Sequence, residues 1–305
     1  MVDVIEIADT DKVDLAEFVA LFNDMPLEHN SEESLAATAP LLKKLANDKV
    51  FLSKFLLDEL NSDSSGQESS QYTAQVFMIK RLQKNYHIRA NIWPATHDPM
   101  MRSAKDELFA YAVPHDHSFS FLTVGYWGPG YSSEYYEYEE DPEGYPGEPV
   151  QLRYMGDKTL GEGRLMLYRA HKDIHAQRPP SELSVTLNIM DGAPDTMFRH
   201  QLIFDPTKTA VQKVMHPQAA PSTFELAVAI CGDRAVDSLM KIYNSGLDDM
   251  IRFQALRAAG MATGSVEGLE AVVSAGIANP SDRISGWCRA YFAEFERQGA
   301  TLVAS

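Results

Sequence analysis

The chain has 305 residues, of which 45% are hydrophobic and 23% are charged, a composition typical of a globular protein. Its 27 Lys and Arg residues are outnumbered by 43 Asp and Glu residues, which gives a formal net charge of −16. Nucleic acids and anionic membranes are therefore not expected as partners, because their binding depends on clustered Lys and Arg.

The N-terminal sequence and the cysteine content bear on the cellular compartment. The stretch MVDVIEIADTDKVDL carries acids where a signal peptide has a basic region and an apolar core. No window reaches the roughly 18 apolar residues that a membrane span needs. Cys231 and Cys288 are too few for a disulfide framework. We expect a reduced, cytoplasmic protein.

Residues 13–60 have the periodicity of helices. Apolar residues recur at intervals of three and four in VDLAEFVALF, ESLAATAPLLKKLA and VFLSKFLLDEL, and Ser31 is a predicted N-cap. Residues 61–71 read NSDSSGQESSQ, a polar composition that predicts a loop. Residues 1–71 are therefore interpreted as an N-terminal helical arm and linker.

A pattern of short strands follows, separated by Gly and Pro. The candidate strands are YTAQVFMI, HIRANIW, SFSFLTVGY, SEYYEY, PVQLRYM, GRLMLY, ELSVTLNIM and MFRHQLIF. One segment, THDPMMRSAKDELFA, interrupts them and predicts a short helix. Few intervening helices favour an antiparallel sandwich or barrel over a parallel sheet. We expect this domain to span residues 72–215.

Helical periodicity returns from about Thr223. The stretch AVDSLMKIYNSG at 235–246 is echoed by SVEGLEAVVSAG at 265–276, and a period near 30 residues with two helices per unit is typical of HEAT-like repeats. A plain helical cap explains the same pattern equally well. The region 216–305 is thus predicted to be helical, with both alternatives open.

Four histidines lie where metal chemistry is feasible. His115 and His117 fall in PHDHSFSFLTV, and in a strand two residues at this spacing project from one face about 6 to 7 Å apart. His171 and His175 follow in LYRAHKDIHAQRPP. In a closed barrel one of these can face the first pair, so that three imidazoles surround a divalent metal and leave positions for substrate and for oxygen or water.

These stretches resemble the two metal motifs of the cupin superfamily. PHDHSFSFLTV resembles the first motif, and GRLMLYRAHKDIHA resembles the second. Trp93 at the end of HIRANIW makes the resemblance closer to the thiol dioxygenase branch. The resemblance implies an α+β protein with an antiparallel cupin β-barrel, flanked by the N-terminal helices and the helical C-terminal region. It also implies Fe(II) held by three histidines. Cupin spacing from Gly163 favours His175 over His171 as the third ligand.

The chain also departs from thiol dioxygenases. The 20 residues from Pro94 to Val113 make a longer connection, which could form a lid over the site. The barrel region has no Cys for a Cys–Tyr cross-link. The substrate-carboxylate arginine of that family would lie on the preceding strand, where only Lys80 and Arg81 are near the right place.

Further candidates complete the predicted site. His171 is expected to face substrate or to orient a ligand, and Tyr126 is the catalytic candidate from the tyrosine-rich stretch GYWGPGYSSEYYEY. Arg89 would pair with a substrate carboxylate if it points inward, and it shares a strand face with Asn91. Other residues expected to line the cavity are Gln177, Thr186 and Asn188.

The expected function is a non-haem Fe(II) cupin oxygenase that acts on dioxygen and a small amino-acid-like or thiol-bearing substrate. A 2-oxoglutarate-dependent hydroxylase is one alternative, although Val185 stands where such enzymes usually have an arginine. A non-catalytic metal- or ligand-binding cupin with a protein-docking helical region is another, and a homodimer is left open. Hydrolase, Rossmann and Walker motifs are absent from the sequence.

Overall fold

A computed structural model describes most of the chain. The described residues are 2–61, 75–103, 109, 111–138, 142, 144, 147–192, 201–215 and 219–303. Several expectations fall wholly or partly outside them: most of the linker, part of the lid, the first residues of the last candidate strand, and the boundary at residue 216. The chain divides into two compact units, unit 1 being Met1–Glu137 with Arg153–Pro194 and unit 2 being Tyr138–Leu152 with Asp195–Ser305.

The helices of unit 1 begin where the sequence offers capping side chains. They are α1 (Leu15–Asn23), α2 (Glu32–Ala37), α3 (Ala39–Asn47), α4 (Phe51–Asn61) and the short α5 (Pro99–Ser103). The Asp14 side chain accepts from the Glu17 amide at the start of α1. The Ser31 side chain accepts from the Ser34 amide at the start of α2, so the predicted N-cap is confirmed.

The strands of unit 1 form two antiparallel sheets. The strands are β1 (Asp3–Ile5), β2 (Val76–Arg81), β3 (His87–Trp93), β4 (Phe121–Trp127), β5 (Tyr131–Tyr138), β6 (Leu152–Leu160), β7 (Leu165–Tyr168), β8 (Ile174–Arg178) and β9 (Ser184–Met190). Six of them pair in the order β1-β7-β4-β9-β3-β2, and the other three pair in the order β6-β5-β8. A closed barrel stays a prediction, because the described strands are assigned to two separate sheets.

The strand β9 shows how the sequence positions the interior of the larger sheet. Its residues alternate, so that Val185, Leu187 and Ile189 belong to the core shared with the N-terminal helices. The residues between them, Thr186 and Asn188, point to the opposite face. Both faces of the sheet are therefore covered, one by helices and one by the interior that holds the histidines.

Two apolar cores lie on the two faces of the six-stranded sheet. The first joins the helices to the sheet through side chains such as Phe18, Leu42 and Leu122, each with 0% exposure. The second, on the interior face, is rich in aromatic residues. Its members are Val2, Trp93, Phe121, Tyr131, Tyr135, Leu160, Met166, Tyr168 and Met190.

Unit 2 combines a hairpin with a helical region. Its elements are β10 (Gln201–Asp205), β11 (Ala210–Met215), α6 (Ala219–Cys231), α7 (Val236–Tyr243), α8 (Asp249–Ala262), α9 (Val266–Ile277) and α10 (Asp282–Val303). Helix follows helix over 219–303, in agreement with the periodicity of the sequence, while the HEAT-like character stays a prediction. Among the described helices, none is long and apolar enough to cross a membrane.

The three-part division expected from the sequence stays a prediction. The N-terminal helices share a continuous core with the six-stranded sheet. The hairpin β10–β11 falls with the C-terminal helices in unit 2 and not with the other strands.

Candidate metal centre

Backbone pairing brings the first and second histidine motifs together. The amide of His115 donates to the carbonyl of His175 at 3.1 Å, and the amide of His175 donates to the carbonyl of His115 at 3.0 Å. This reciprocal pair adds the segment around His115 to the edge of β8. Residues that pair in this way project their side chains from the same face of the sheet, so the two imidazoles become neighbours.

His117 completes a cluster of three. Its Nε2 lies 3.3 Å from Nε2 of His175, and the ring centroids of His115 and His117 are 4.9 Å apart. Each of the three residues offers a ligand atom that lies within 4.8 Å of the others. Within the described part of the chain, this is the group of three or more His, Cys, Asp or Glu residues that could hold a metal ion.

The separation of the nitrogen atoms fits a shared ion. Two imidazole nitrogens bound at about 2.0–2.1 Å to one metal lie about 2.8–3.4 Å apart, for angles between 90° and tetrahedral. The 3.3 Å between Nε2 of His117 and Nε2 of His175 falls in this range. In the metal-free form one of these nitrogens donates to the other, and a bound ion would take the place of that proton.

The protonation state also suits metal binding. Nδ1 of His115 lies 2.8 Å from the carbonyl oxygen of Val113; because a carbonyl only accepts, this nitrogen carries the proton and leaves the Nε2 lone pair for a metal. Burial lowers the pKa of His115. Burial, followed by the neighbouring imidazoles, lowers the pKa of His117 and of His175 well below the usual value. All three rings are thus neutral, which is the form that binds a metal.

The chemistry of the donors supports the same reading. Nδ1 of His117 is buried and has no hydrogen-bond partner among the described residues, so that ring is not fixed by a structural hydrogen bond through Nδ1. The donor set, three neutral imidazoles without a carboxylate, fits a divalent first-row metal.

His171 lies beside the cluster and outside it. Its backbone has a positive φ of 53°, and its amide donates to the carbonyl of His117 at 2.9 Å. Its Nδ1 is 4.0 Å from Oδ2 of the buried Asp116, and its side chain is 33% exposed. The structure therefore brings His175, and not His171, together with the first pair.

An ion pair holds the turn that leads to His175. The Arg169 guanidinium donates from Nε to Asp173 Oδ2 at 2.9 Å and from Nη2 to Asp173 Oδ1 at 2.6 Å. The same carboxylate accepts from the Arg169 amide. This bidentate contact closes the turn around His171 and sets the start of β8. Sequence reasoning missed the pair, although an Arg and an Asp four residues apart across a turn are a signal for it.

Arg89 and Tyr126 lie in different places. Arg89 shares the interior face of β3 with Trp93, and its charge contributes to the lowered pKa of His117. Tyr126 belongs to the core between helices and sheet, where its hydroxyl donates to the carbonyl of Asp48 at 3.0 Å. We assign Tyr126 to packing on the far side of the sheet, a correction of its expected catalytic role. Lys80 and Arg81 are exposed at the end of β2.

An aromatic wall borders the histidines, and sequence reasoning did not select its members. The Tyr168 ring stacks on Phe121 with centroids 4.5 Å apart and meets His175 edge-on at 4.9 Å. The hydroxyls of Tyr135 and Tyr168 are 2.6 Å apart. Burial raises the pKa of Tyr135 to about 12 and that of Tyr168 well above its usual value. Both phenols are therefore neutral, and one hydroxyl donates to the other.

Polar residues of the larger sheet form a network in the same interior. The hydroxyls of Thr123 and Thr186 each donate to Oδ1 of Asn188 at 3.1 Å. Nε1 of Trp93 donates to the Thr186 hydroxyl at 3.1 Å. The expected cavity-lining residues Thr186 and Asn188 thus lie on the interior face, where this network fixes their side chains.

No protein-family model matches the chain, and no curated protein matches it. Among solved structures, procruciferin, an 11S globulin from Brassica napus, has 10% identity and a TM-score of 0.26, with 45% of this chain and 29% of that chain covered. The chain therefore spans less than a third of procruciferin.

Two smaller proteins also show similarity. The DMSP lyase DddQ from Ruegeria pomeroyi DSS-3 has 13% identity and a TM-score of 0.24, with 64% of this chain and 79% of that chain covered. A cupin-like protein from Thermotoga maritima has 8% identity and a TM-score of 0.22, with 44% of this chain and 80% of that chain covered. TM-scores at this level are too low to establish a shared fold.

Proposed function

We propose that unit 1 is a cupin-type metal centre and that the protein is a non-haem Fe(II) oxygenase acting on a small amino-acid-like or thiol-bearing substrate. The observation that carries the proposal is the convergence of His115, His117 and His175, with ligand atoms within 4.8 Å of one another. The donor set and the neutral rings both support a bound ion.

Three ligands favour a reactive site over a structural one. Structural zinc sites normally have four protein ligands, whereas catalytic sites keep a position open. His115 and His175 are buried at 6% and 1% exposure, while His117 is partly exposed. The open positions would therefore lie on the side of His117, where a substrate can enter.

Iron is proposed because the three-histidine pattern resembles thiol dioxygenases, and imidazole donors suit iron as well as zinc, copper and nickel. Bound Fe(II) would supply the activation of dioxygen. The chain's own side chains would hold the ion, exclude water and bind the substrate. Phe121 and Tyr168 cover one side of the histidines, and Arg89 would bind a substrate carboxylate from the interior face of β3.

His171 is proposed to act at the mouth of the site. Its ring is a third exposed and lies 4.0 Å from the Asp116 carboxylate, so it can exchange protons with solvent while remaining close to the cluster. In this role it would move a proton to or from bound substrate without touching the metal.

The test is oxygen consumption by anaerobically iron-loaded protein, measured with an oxygen electrode. The probes are L-cysteine and 2-aminoethanethiol, and His117→Ala is compared with Lys12→Ala, which alters an exposed side chain and serves as the control. We expect consumption by wild type and Lys12→Ala, and none by His117→Ala.

Two outcomes would replace the proposal with an alternative. Consumption that requires added 2-oxoglutarate would identify a 2-oxoglutarate-dependent hydroxylase. Full iron loading without oxygen uptake from any probe, with or without 2-oxoglutarate, would contradict an oxygenase and favour the non-catalytic metal-binding protein.

A further inference from the structure

Two buried amide side chains lie in the interior that holds the histidine cluster, and the proposed function leaves them without a role. Asn91 and Gln177 are 7% and 5% exposed. Oδ1 of Asn91 and Oε1 of Gln177 have no hydrogen-bond partner among the described residues. Since buried polar atoms are nearly always paired in folded proteins, two such acceptors in one interior require an explanation.

The backbone fixes the direction of Gln177. On one side it pairs with Ser133 of β5, and on the other its carbonyl accepts from the amide of Ala112 at 2.9 Å. Gln177 is two residues beyond His175 on the same strand, and so its side chain leaves the same face, about 6 to 7 Å along β8.

Asn91 is fixed in a similar way on the opposite sheet. It pairs with Val76 of β2 and with Thr186 of β9. Its neighbours on the same face of β3 are Arg89 and Trp93, because they lie two residues away on either side. Asn91 therefore projects into the interior that holds the histidines.

An aromatic contact places the two amides at the same level. The rings of Trp93 and Tyr131 bridge the two sheets with centroids 4.1 Å apart. Asn91 lies two residues before Trp93 on the same face of β3. Ser133, the strand partner of Gln177, lies two residues after Tyr131 on the same face of β5. Both amides thus lie in the layer between that aromatic contact and the histidine cluster.

A third amide in the same interior shows what a structural role looks like. Oδ1 of Asn188 accepts from the hydroxyls of Thr123 and Thr186, each at 3.1 Å. The fold therefore satisfies a buried amide oxygen where packing alone needs it. Asn91 and Gln177 differ because the described residues supply their oxygens with no donor.

We propose that Asn91 and Gln177 bind a primary nitrogen group of the substrate, with two N–H donors shared between the two amide oxygens. A hydroxyl donates only one hydrogen bond and would leave one acceptor unpaired, whereas an amine or a carboxamide nitrogen satisfies both. The inference rests on the metal site of the proposed function, because Gln177 places this nitrogen one strand step from the metal ligand His175. It does not depend on oxygen chemistry.

The binding test uses cobalt(II) in place of iron and follows the thiolate-to-cobalt absorption band. The probes are 2-aminoethanethiol, 3-mercaptopropanamide and 1-propanethiol, which carry an amine, a carboxamide and neither group. We expect at least one nitrogen-bearing thiol to bind about tenfold or more tightly than 1-propanethiol, since each satisfied buried acceptor contributes about that factor. Comparing the amine with the carboxamide shows which group the site prefers.

The variants Asn91→Leu and Gln177→Met should reduce this preference to about twofold or less, whereas the surface variant Lys12→Ala should keep it. Equal binding of the three thiols by wild type would overturn the proposal. The same preference in wild type and in both amide variants would also overturn it. Loss of oxygenase activity alone would leave these binding ratios unchanged, so the two proposals fail separately.

A second measurement needs no metal. If Asn91 and Gln177 are kept for a ligand, their apolar replacements remove an unpaired buried acceptor and should leave the unfolding temperature of the metal-free protein unchanged or higher. Asn188→Leu, which breaks two hydrogen bonds, should lower it. A marked drop for both Asn91→Leu and Gln177→Met would show that the amides serve the fold, and would overturn the proposal even if cobalt fails to bind.

Discussion

Adding cobalt(II) to the metal-free protein should raise the unfolding temperature of unit 1, and the rise should depend on His175 far more than on His171. His175 contributes to the group of ligand atoms that lie within 4.8 Å of one another. His171 is outside that group, with a third of its side chain exposed. A metal that binds only the folded state stabilises it by mass action.

The size of the effect follows from the geometry. At a metal concentration of one hundred times Kd, the folded state gains about 2.7 kcal/mol. Unit 1 covers most of Met1–Pro194, and in domains of this size 1 kcal/mol shifts the unfolding temperature by about 2–4 °C. The wild type should therefore shift by about 5–11 °C.

Loss of one of three ligands should nearly abolish this shift. Four-ligand zinc sites gain about 10–16 kcal/mol in total, or roughly 3 kcal/mol per ligand, which corresponds to more than a hundredfold in Kd. At the same cobalt concentration His175→Ala would gain only about 0.4 kcal/mol, a shift below about 2 °C. For His171→Ala a tenfold weakening would still leave about 1.4 kcal/mol.

Differential scanning calorimetry of wild type, His175→Ala and His171→Ala, each with and without cobalt(II), measures these shifts. Far-UV circular dichroism of the metal-free variants checks that both remain folded. If His171→Ala lost the shift and His175→Ala kept it, the choice of the third ligand would be wrong. If both variants lost the cobalt-dependent shift completely, the metal would depend on all four histidines.

Three further outcomes test the packing. Leu42→Ala should cost about 2–5 kcal/mol in urea unfolding because Leu42 has 0% exposure, whereas Leu21→Ala, at a side chain 46% exposed, should change stability by less than about 0.5 kcal/mol; similar losses would refute the assigned core. Gly130→Ala should prevent stable folding, since φ is +82° and an added Cβ would collide with a backbone carbonyl. If the variant resisted urea as well as the wild type, the assigned conformation of the turn at Gly130 would be wrong. Burial raises the pKa of Cys288 to about 12. At pH 8 mass spectrometry should therefore find the iodoacetamide adduct on Cys231 in the native protein, and on Cys288 only after denaturation. Rapid labelling of Cys288 in the native protein would contradict its assigned burial.

Part of the fold can be predicted from the sequence because local rules decide it. Ser31 caps a helix through its own side chain, and capping needs no distant partner. The alternation in SVTLNIM predicts a strand with a polar and an apolar face. The spacing of His115 and His117 likewise predicts that both can reach one ion.

Other features depend on contacts between distant segments. The strand β4 is buried on both faces, so its sequence does not show which face meets the helices, and Tyr126 was expected on the wrong one. The strand β8 has only five residues and follows a turn in which His171 adopts a positive φ, an arrangement that no local pattern marks. The Tyr135–Tyr168 hydrogen bond joins residues 33 positions apart.

The unpaired amides are invisible in the sequence for the same reason. Asn91, Gln177 and Asn188 are similar residues on similar strands, and only the structure shows that donors surround Asn188 and leave the oxygens of the other two unpaired among the described residues. Sequence reasoning could place them in one cavity but could not separate packing from recognition.

X-ray absorption spectroscopy of the iron(II)-loaded protein tests most directly whether three histidines hold one metal ion. We predict one iron per chain, with three imidazole nitrogens at about 2.0–2.2 Å and oxygen donors completing the shell, and a lower imidazole count or no bound iron in each of His115→Ala, His117→Ala and His175→Ala. A wild-type spectrum without imidazole scattering, or an unchanged spectrum in any of the three variants, would contradict the proposed centre.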